Sequence, residues 1–187
     1  AWVINNHDDF ENKLKRVLNE ISKVVGLPQP PHDERVYRVE ITGDIPECSD
    51  SLITQTYLVS EPNCEVRLRR REWIGGKVVN VHRSSKRISD SEMIETERQV
   101  DNNLYEHMLQ QADPYRSTIK KRRQSFIWKG QFFQIDTFLE PIKNLVMMET
   151  KGVTEQETVN FPPFVKVLED VTGKSDFMNY NIALRKS

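Results

Sequence analysis

The sequence predicts a mainly β, α+β domain: an eight-stranded antiparallel β-barrel with flanking helices. Three observations carry that prediction. Eight runs rich in β-branched and aromatic residues recur along the chain with the two-residue period of a strand. Gly75-Gly76 and Lys129-Gly130 fall between neighbouring runs, where a hairpin needs turn residues. The connections between runs are mostly of hairpin length, which favours antiparallel pairing.

The elements follow in order. Residues 8–25 read as a helix, because Phe10, Leu14, Val17, Leu18, Ile21 and Val25 share one face and Gly26 ends the pattern. The proline-rich connector LPQPPHDE follows, so residues 1–34 form an N-terminal helix and linker and residues 35–187 the β domain. The strands are 36–41, 52–59, 65–73, 77–85, 93–100, 117–128, 131–139 and 144–150. A helix interrupts them at 102–112, and PFVKVLEDV (163–171) reads as a short second one.

Bulk properties narrow the function. The chain has 187 residues, enough for one domain with a substantial core. Lys+Arg 27 against Asp+Glu 28 leave a formal net charge of -1, which argues against nucleic acid as a partner and makes any anion affinity local. No apolar run approaches a membrane span, and AWVINNHDDF is no signal peptide. The start without Met suggests a fragment of a longer protein. Cys48 and Cys64 make no CxxC pair, and the four histidines have no zinc-site spacing, so a reducing, cytoplasmic setting is expected. TGKS at 172–175 is not the end of a nucleotide-binding loop, since Leu168 stands where such a loop needs glycine.

The stretch EVRLRRRE (65–72) places Arg67, Arg69 and Arg71 on one strand face. Charges of both signs recur at the same spacing elsewhere: Arg38 and Glu40, Glu95 and Glu97, Lys121 and Arg123, then Asp136 and Glu149. Two arrangements satisfy the pattern. Either these faces are solvated, or they line the inside of a barrel around an anion or metal, where mixed signs are tolerable.

Taken together, the runs resemble the CYTH superfamily, the triphosphate tunnel metalloenzymes. ITQTYL (53–58), EVRLRRRE, IETE (94–97), IKKRRQSFIWKGQFFQIDTF, VMMET and EDVTGKSDFMNYNIAL (169–184) follow that family's order over about residues 35–185. The resemblance implies an eight-stranded tunnel whose basic residues hold a triphosphate and whose acidic residues hold a divalent metal. Carried over, the phosphate-binding set is Arg38, Arg67, Arg69, Lys86, Lys121 and Arg123, and the metal set is Glu40, Glu95, Glu97, Asp136 and Glu149. The family's first-strand Glu-x-Glu-x-Lys corresponds to Arg38, Glu40 and Thr42, and Gln134 and Lys151 replace two further carboxylates. Hard oxygen ligands are lost, which puts metal-assisted hydrolysis in doubt. The WIGGK turn and PPFVKVLEDVTGK look like the TRPL translocation defect proteins, in which a P-loop domain precedes this one.

Three functional readings result. In the first, the domain is a phosphate-ligand module of a trafficking regulator. It binds phosphoinositide head groups peripherally at a membrane and needs no cofactor, with GTP and a channel cargo as further partners of the full-length protein. In the second, it is a tripolyphosphatase or nucleoside triphosphatase dependent on Mg²⁺ or Mn²⁺. In the third, it is a scaffold whose charges pair internally.

Overall fold

The computed structural model describes residues 34–89, 92–151 and 158–184, together with Val17, Leu18, Ile21, Val25, Pro28 and Gln29. Ten strands form one antiparallel sheet: β1 (Pro28–Gln29), β2 (Glu34–Ile41), β3 (Ser49–Leu58), β4 (Cys64–Trp73), β5 (Val78–Arg87), β6 (Met93–Val100), β7 (Ile119–Trp128), β8 (Gln131–Glu140), β9 (Val146–Lys151) and β10 (Val165–Asp170). Their order across the sheet is β1-β6-β5-β4-β3-β7-β8-β9-β2-β10. All eight strands expected from periodicity are present. Lys129 and Gly130 take φ of 46° and 78°, the two left-handed positions of a tight hairpin turn.

Two expectations need correction. The segment 163–171 is not a helix: β10 pairs with β2, setting Val165 opposite Ile41 and Val167 opposite Val39. A short apolar run reads equally as strand or helix, and here the open edge of β2 decides. The barrel is also not closed by hydrogen bonds. β1 occupies part of the β6 edge and β10 the β2 edge, and among the described residues no ladder joins the two ends. The edges nonetheless lie near each other. Gln29 on β6 and Glu34 in β2 are five residues apart, a reach of at most about 18 Å. The sheet is therefore strongly curled, with an inner and an outer face.

Alternation sorts side chains between those faces. Outside, Tyr37, Phe126, Phe133, Ile135 and Met148 pack beneath Phe164 and Val165. Also outside, α1 (Asn102–Leu109) lays Tyr105 over Leu58, Leu68 and Val100, and Asp101 caps it by accepting from Leu104 N at 2.8 Å. Inside, Tyr57, Ile119, Phe138 and Met147 form an apolar floor. That floor is covered by Ile182 and Ala183 of α2 (Asn179–Ile182) and its C-cap. Most of the helix expected over 8–25 lies outside the described residues; Val17, Leu18, Ile21 and Val25 have helical backbone and exposed side chains. Most of the proline-rich connector lies outside them as well. Among the described residues no helix is long and apolar enough to cross a membrane.

Candidate phosphate-binding tunnel

Above the apolar floor the inner face is charged. Lys121 and Arg123 on β7 meet Asp136 on β8. Arg123 grips that carboxylate with two parallel bonds of 2.7 and 2.6 Å, and Lys121 Nζ lies 2.7 Å from it. Lys121 also donates to Asn179 Oδ1 at 3.1 Å, which ties α2 to the charged layer. Burial pulls the Lys121 ammonium below the ordinary lysine range, with Asp136 opposing and Arg123 reinforcing that pull. Burial would raise the Asp136 carboxyl, but Lys121 and Arg123 hold it well below the ordinary carboxylate range.

The arginine strand completes the wall. Arg69 lies 3.3 Å from Glu97, and Arg67 lies 3.2 Å from Glu65. Arg83 on β5 is bonded to Glu95, which also accepts from Ser85 Oγ at 3.3 Å. Burial pushes Arg69 down to about 10 against the pull of Glu97, and the neighbouring cations Arg67, Arg123 and Arg83 add to that push. Burial also works against the charge of Arg83, but Glu95 outweighs it and holds Arg83 above its ordinary range.

A second acidic group lies where β9 meets β2. Lys151 Nζ sits 3.0 Å from Glu149 and 3.2 Å from Glu34. Burial and the adjacent Glu149 push Glu34 up to about 7. Burial would raise Glu149 too, but the proton shared from Glu34, with Lys151 and Arg123, brings it down to about 2.

Of the residues singled out by sequence, Arg67, Arg69, Lys121, Arg123, Glu95, Glu97, Asp136 and Glu149 share the inner face. Lys86 does not. It is exposed and lies opposite Cys64 and Ile94, one residue out of phase with Arg83 and Ser85, and a one-residue slip moves a side chain to the other face. Arg38 and Glu40 are spent at the sheet edge, paired with Glu169 at 3.3 Å and Lys166 at 3.6 Å of β10. Glu34, Arg83 and Lys151 were missed. The alternation that sends Tyr37 and Val39 outward also sends Glu34 inward. The same rule applied from Ser85 would have found Arg83.

The carboxylates do not make a ready metal centre. Among the described residues no group of three or more His, Cys, Asp or Glu side chains is placed to hold a metal ion. Asp136, Glu95 and Glu97 are each engaged by a cation, and Glu34 and Glu149 share Lys151.

No protein-family model matches the chain, and no curated protein matches it. Among solved structures, the crystal structure of the inorganic triphosphatase NE1496 superposes with a TM-score of 0.60 at 24% identity, covering 84% of this chain and 97% of that one. The chain shares the fold of a triphosphatase. A second crystal structure of NE1496 gives a TM-score of 0.61 at 24% identity over 83% of this chain and 99% of that one. PH1819 from Pyrococcus horikoshii OT3, at 15% identity and a TM-score of 0.47, is too distant to carry an argument.

Proposed function

We propose that this domain takes a linear triphosphate into its curled sheet and hydrolyses a phosphoanhydride bond there. The observation that carries this reading is the convergence of Arg67, Arg69, Arg83, Lys121 and Arg123 from three strands onto one face. Guanidinium groups match phosphate oxygens bidentately, and a cluster of them neutralises the charge that spreads over a phosphoryl group in transfer. The shared fold with NE1496 supports the same reading. While the site is empty, Glu65, Glu97 and Asp136 hold the cations in place; an entering triphosphate takes over the partners of Glu65 and Glu97, and Lys121 and Arg123 stay on Asp136 as a fixed positive backing. Glu34, with a proton exchangeable near neutrality, is the group suited to accept one from an attacking water. No step is assigned to a metal, since among the described residues no three carboxylates are placed together to hold one.

The test is phosphate release from tripolyphosphate and from nucleoside triphosphates, with and without Mg²⁺ or Mn²⁺. Turnover that falls at least tenfold in Arg69→Ala and Arg123→Ala supports the reading. Absence of both turnover and tripolyphosphate binding would overturn it. A phosphoinositide head group is the competing ligand, because clustered phosphates would use the same guanidinium groups. That reading, like the likeness to the TRPL translocation defect proteins, rests on the sequence alone. Pelleting with vesicles that carry phosphoinositides, against phosphatidylserine controls, separates it from hydrolysis.

A further inference from the structure

The third arginine of the β4 ladder differs from the other two. Arg67 and Arg69 each have a carboxylate within 4 Å. Arg71 has none among the described residues. Its Nε donates instead to Ser51 Oγ at 2.9 Å, and Ser51 is fully buried. Its guanidinium lies 4.4 Å from the ring centroid of Trp73, and Lys77 Nζ lies 5.4 Å from the same ring. A neutral hydroxyl and an aromatic face therefore hold Arg71 in place, and neither cancels its charge. Burial and then the charge of Arg123 push its pKa down, with Asp136 opposing, so Arg71 senses the same inner-face charges as the deeper site.

Its position is equally distinct. Alternation sets Arg71 on the inner face, opposite Ile53 of β3 and Val79 of β5, two residues before the strand ends at Trp73. Residues at spacing two on a strand are about 6.8 Å apart, so Arg67, Arg69 and Arg71 form a ladder that climbs from the α2-covered end to the β4–β5 turn. The two lower rungs meet a phosphate only after displacing a carboxylate. The top rung has no such competitor.

We propose that Arg71, clamped by Trp73 and Ser51, is an outer anion subsite of the tunnel. It captures a phosphate group of an incoming polyphosphate and continues to hold the outermost phosphate once the inner groups are seated. The inference rests on the proposed triphosphate-binding function and adds to it a residue that sets how long a polyphosphate is preferred. An unpaired guanidinium at the rim attracts the anion before any internal ion pair opens, so it contributes to association as well as to the bound state. Trp73 acts through Arg71 as a positioning residue.

The experiment compares tripolyphosphate, pyrophosphate and orthophosphate by calorimetric titration, with association followed by tryptophan fluorescence in stopped flow. Arg71→Gln is expected to weaken tripolyphosphate binding about tenfold and lower its association rate, while leaving the weaker pyrophosphate affinity within about twofold. Arg71→Lys should recover part of the loss. Trp73→Leu should weaken tripolyphosphate binding less than Arg71→Gln and leave the salt dependence of association close to wild type, because the charge is kept. Lys120→Gln, an exposed change on the outer face beside Glu140, serves as the control and should change nothing. Equal affinities of wild type and Arg71→Gln for tripolyphosphate would overturn the proposal alone. A uniform loss for all three anions would overturn it too, by marking Arg71 as a general structural charge. If the wild-type protein binds no polyphosphate, the functional reading fails and the subsite falls with it.

Discussion

The two walls of the curled sheet hold their cations in different ways. On β4, β5 and β6, three inner arginines each have their own carboxylate, Arg67 with Glu65, Arg69 with Glu97 and Arg83 with Glu95, and Arg71 alone of the β4 ladder has none among the described residues. On β7, β8 and β9, two cations share one acid. Lys121 and Arg123 both close on Asp136, at side-chain exposures of 3%, 12% and 7%. The Arg69–Glu97 pair keeps 25% and 34%. One wall is a set of separate pairs, two of them partly wetted and the third, Arg83–Glu95, with its acid buried. The other is a buried network that Glu149 joins through Arg123 at 3.8 Å. A ligand can therefore exchange partners on the first wall at low cost, whereas the second wall is a fixed electrostatic backstop.

The sharpest way to break this comparison is to neutralise one acid on each wall. Asp136→Asn leaves the buried Lys121 without its ion-pair partner and Arg123 with only Glu149 at 3.8 Å, and should cost about 3–5 kcal/mol, measured by urea denaturation. Glu97→Gln should cost under about 1 kcal/mol. Equal losses would mean that the two walls are energetically alike.

A smaller effect tests the assignment of faces. Arg83→Gln should weaken tripolyphosphate binding about tenfold, near 1.4 kcal/mol, whereas Lys86→Gln should leave it unchanged. The opposite ranking would reverse the β5 alternation described above.

A further effect is in pH. Glu34 has a folded pKa near 7, above the 4.5 of an ordinary glutamate, so its protonated form favours the folded state. That contribution is complete below about pH 4.5 and is lost as pH rises through 7. Glu149 runs the other way: its contribution is present above 4.5 and lost as pH falls through about 2. Unfolding free energy measured from pH 4.5 to 7.5 should therefore decline more in wild type than in Glu34→Gln. Parallel curves would show that the proton shared between Glu34 and Glu149 has no part in stability.

Eight of the ten strands, the hairpins and most of the charged inner face were legible because alternation is a local signal. The period-two charges on EVRLRRRE and IKKRRQ mark one face without reference to any other strand. What escaped depended on phase or on partners far along the chain. The family resemblance points to Lys86, which lies out of phase with Arg83 and Ser85 and so falls on the outer face. Glu34 escaped because β2 begins two residues before its apolar run. β10 escaped because its identity as a strand comes from pairing with β2, more than 120 residues earlier. Closure of the barrel is likewise a property of edges, which no local pattern records. The internal pairing of acids with cations, raised as a scaffold reading, is present in the fold. It is also what an anion tunnel needs in order to remain folded while empty.

The bulge in β10 has a consequence for how the protein behaves among copies of itself. Between Val167 and Glu169 the register shifts against β2, so Leu168 is an extra residue on the outermost strand. A flat edge carrying Val167 and Leu168, both exposed, would be a template for a neighbouring molecule's strand. The added residue bends that edge and increases its twist, while Lys166 and Glu169 set charges along it. A sheet with an unsealed seam must still avoid self-assembly, and this kink gives the outermost strand an irregular outline that disfavours in-register pairing with a second copy.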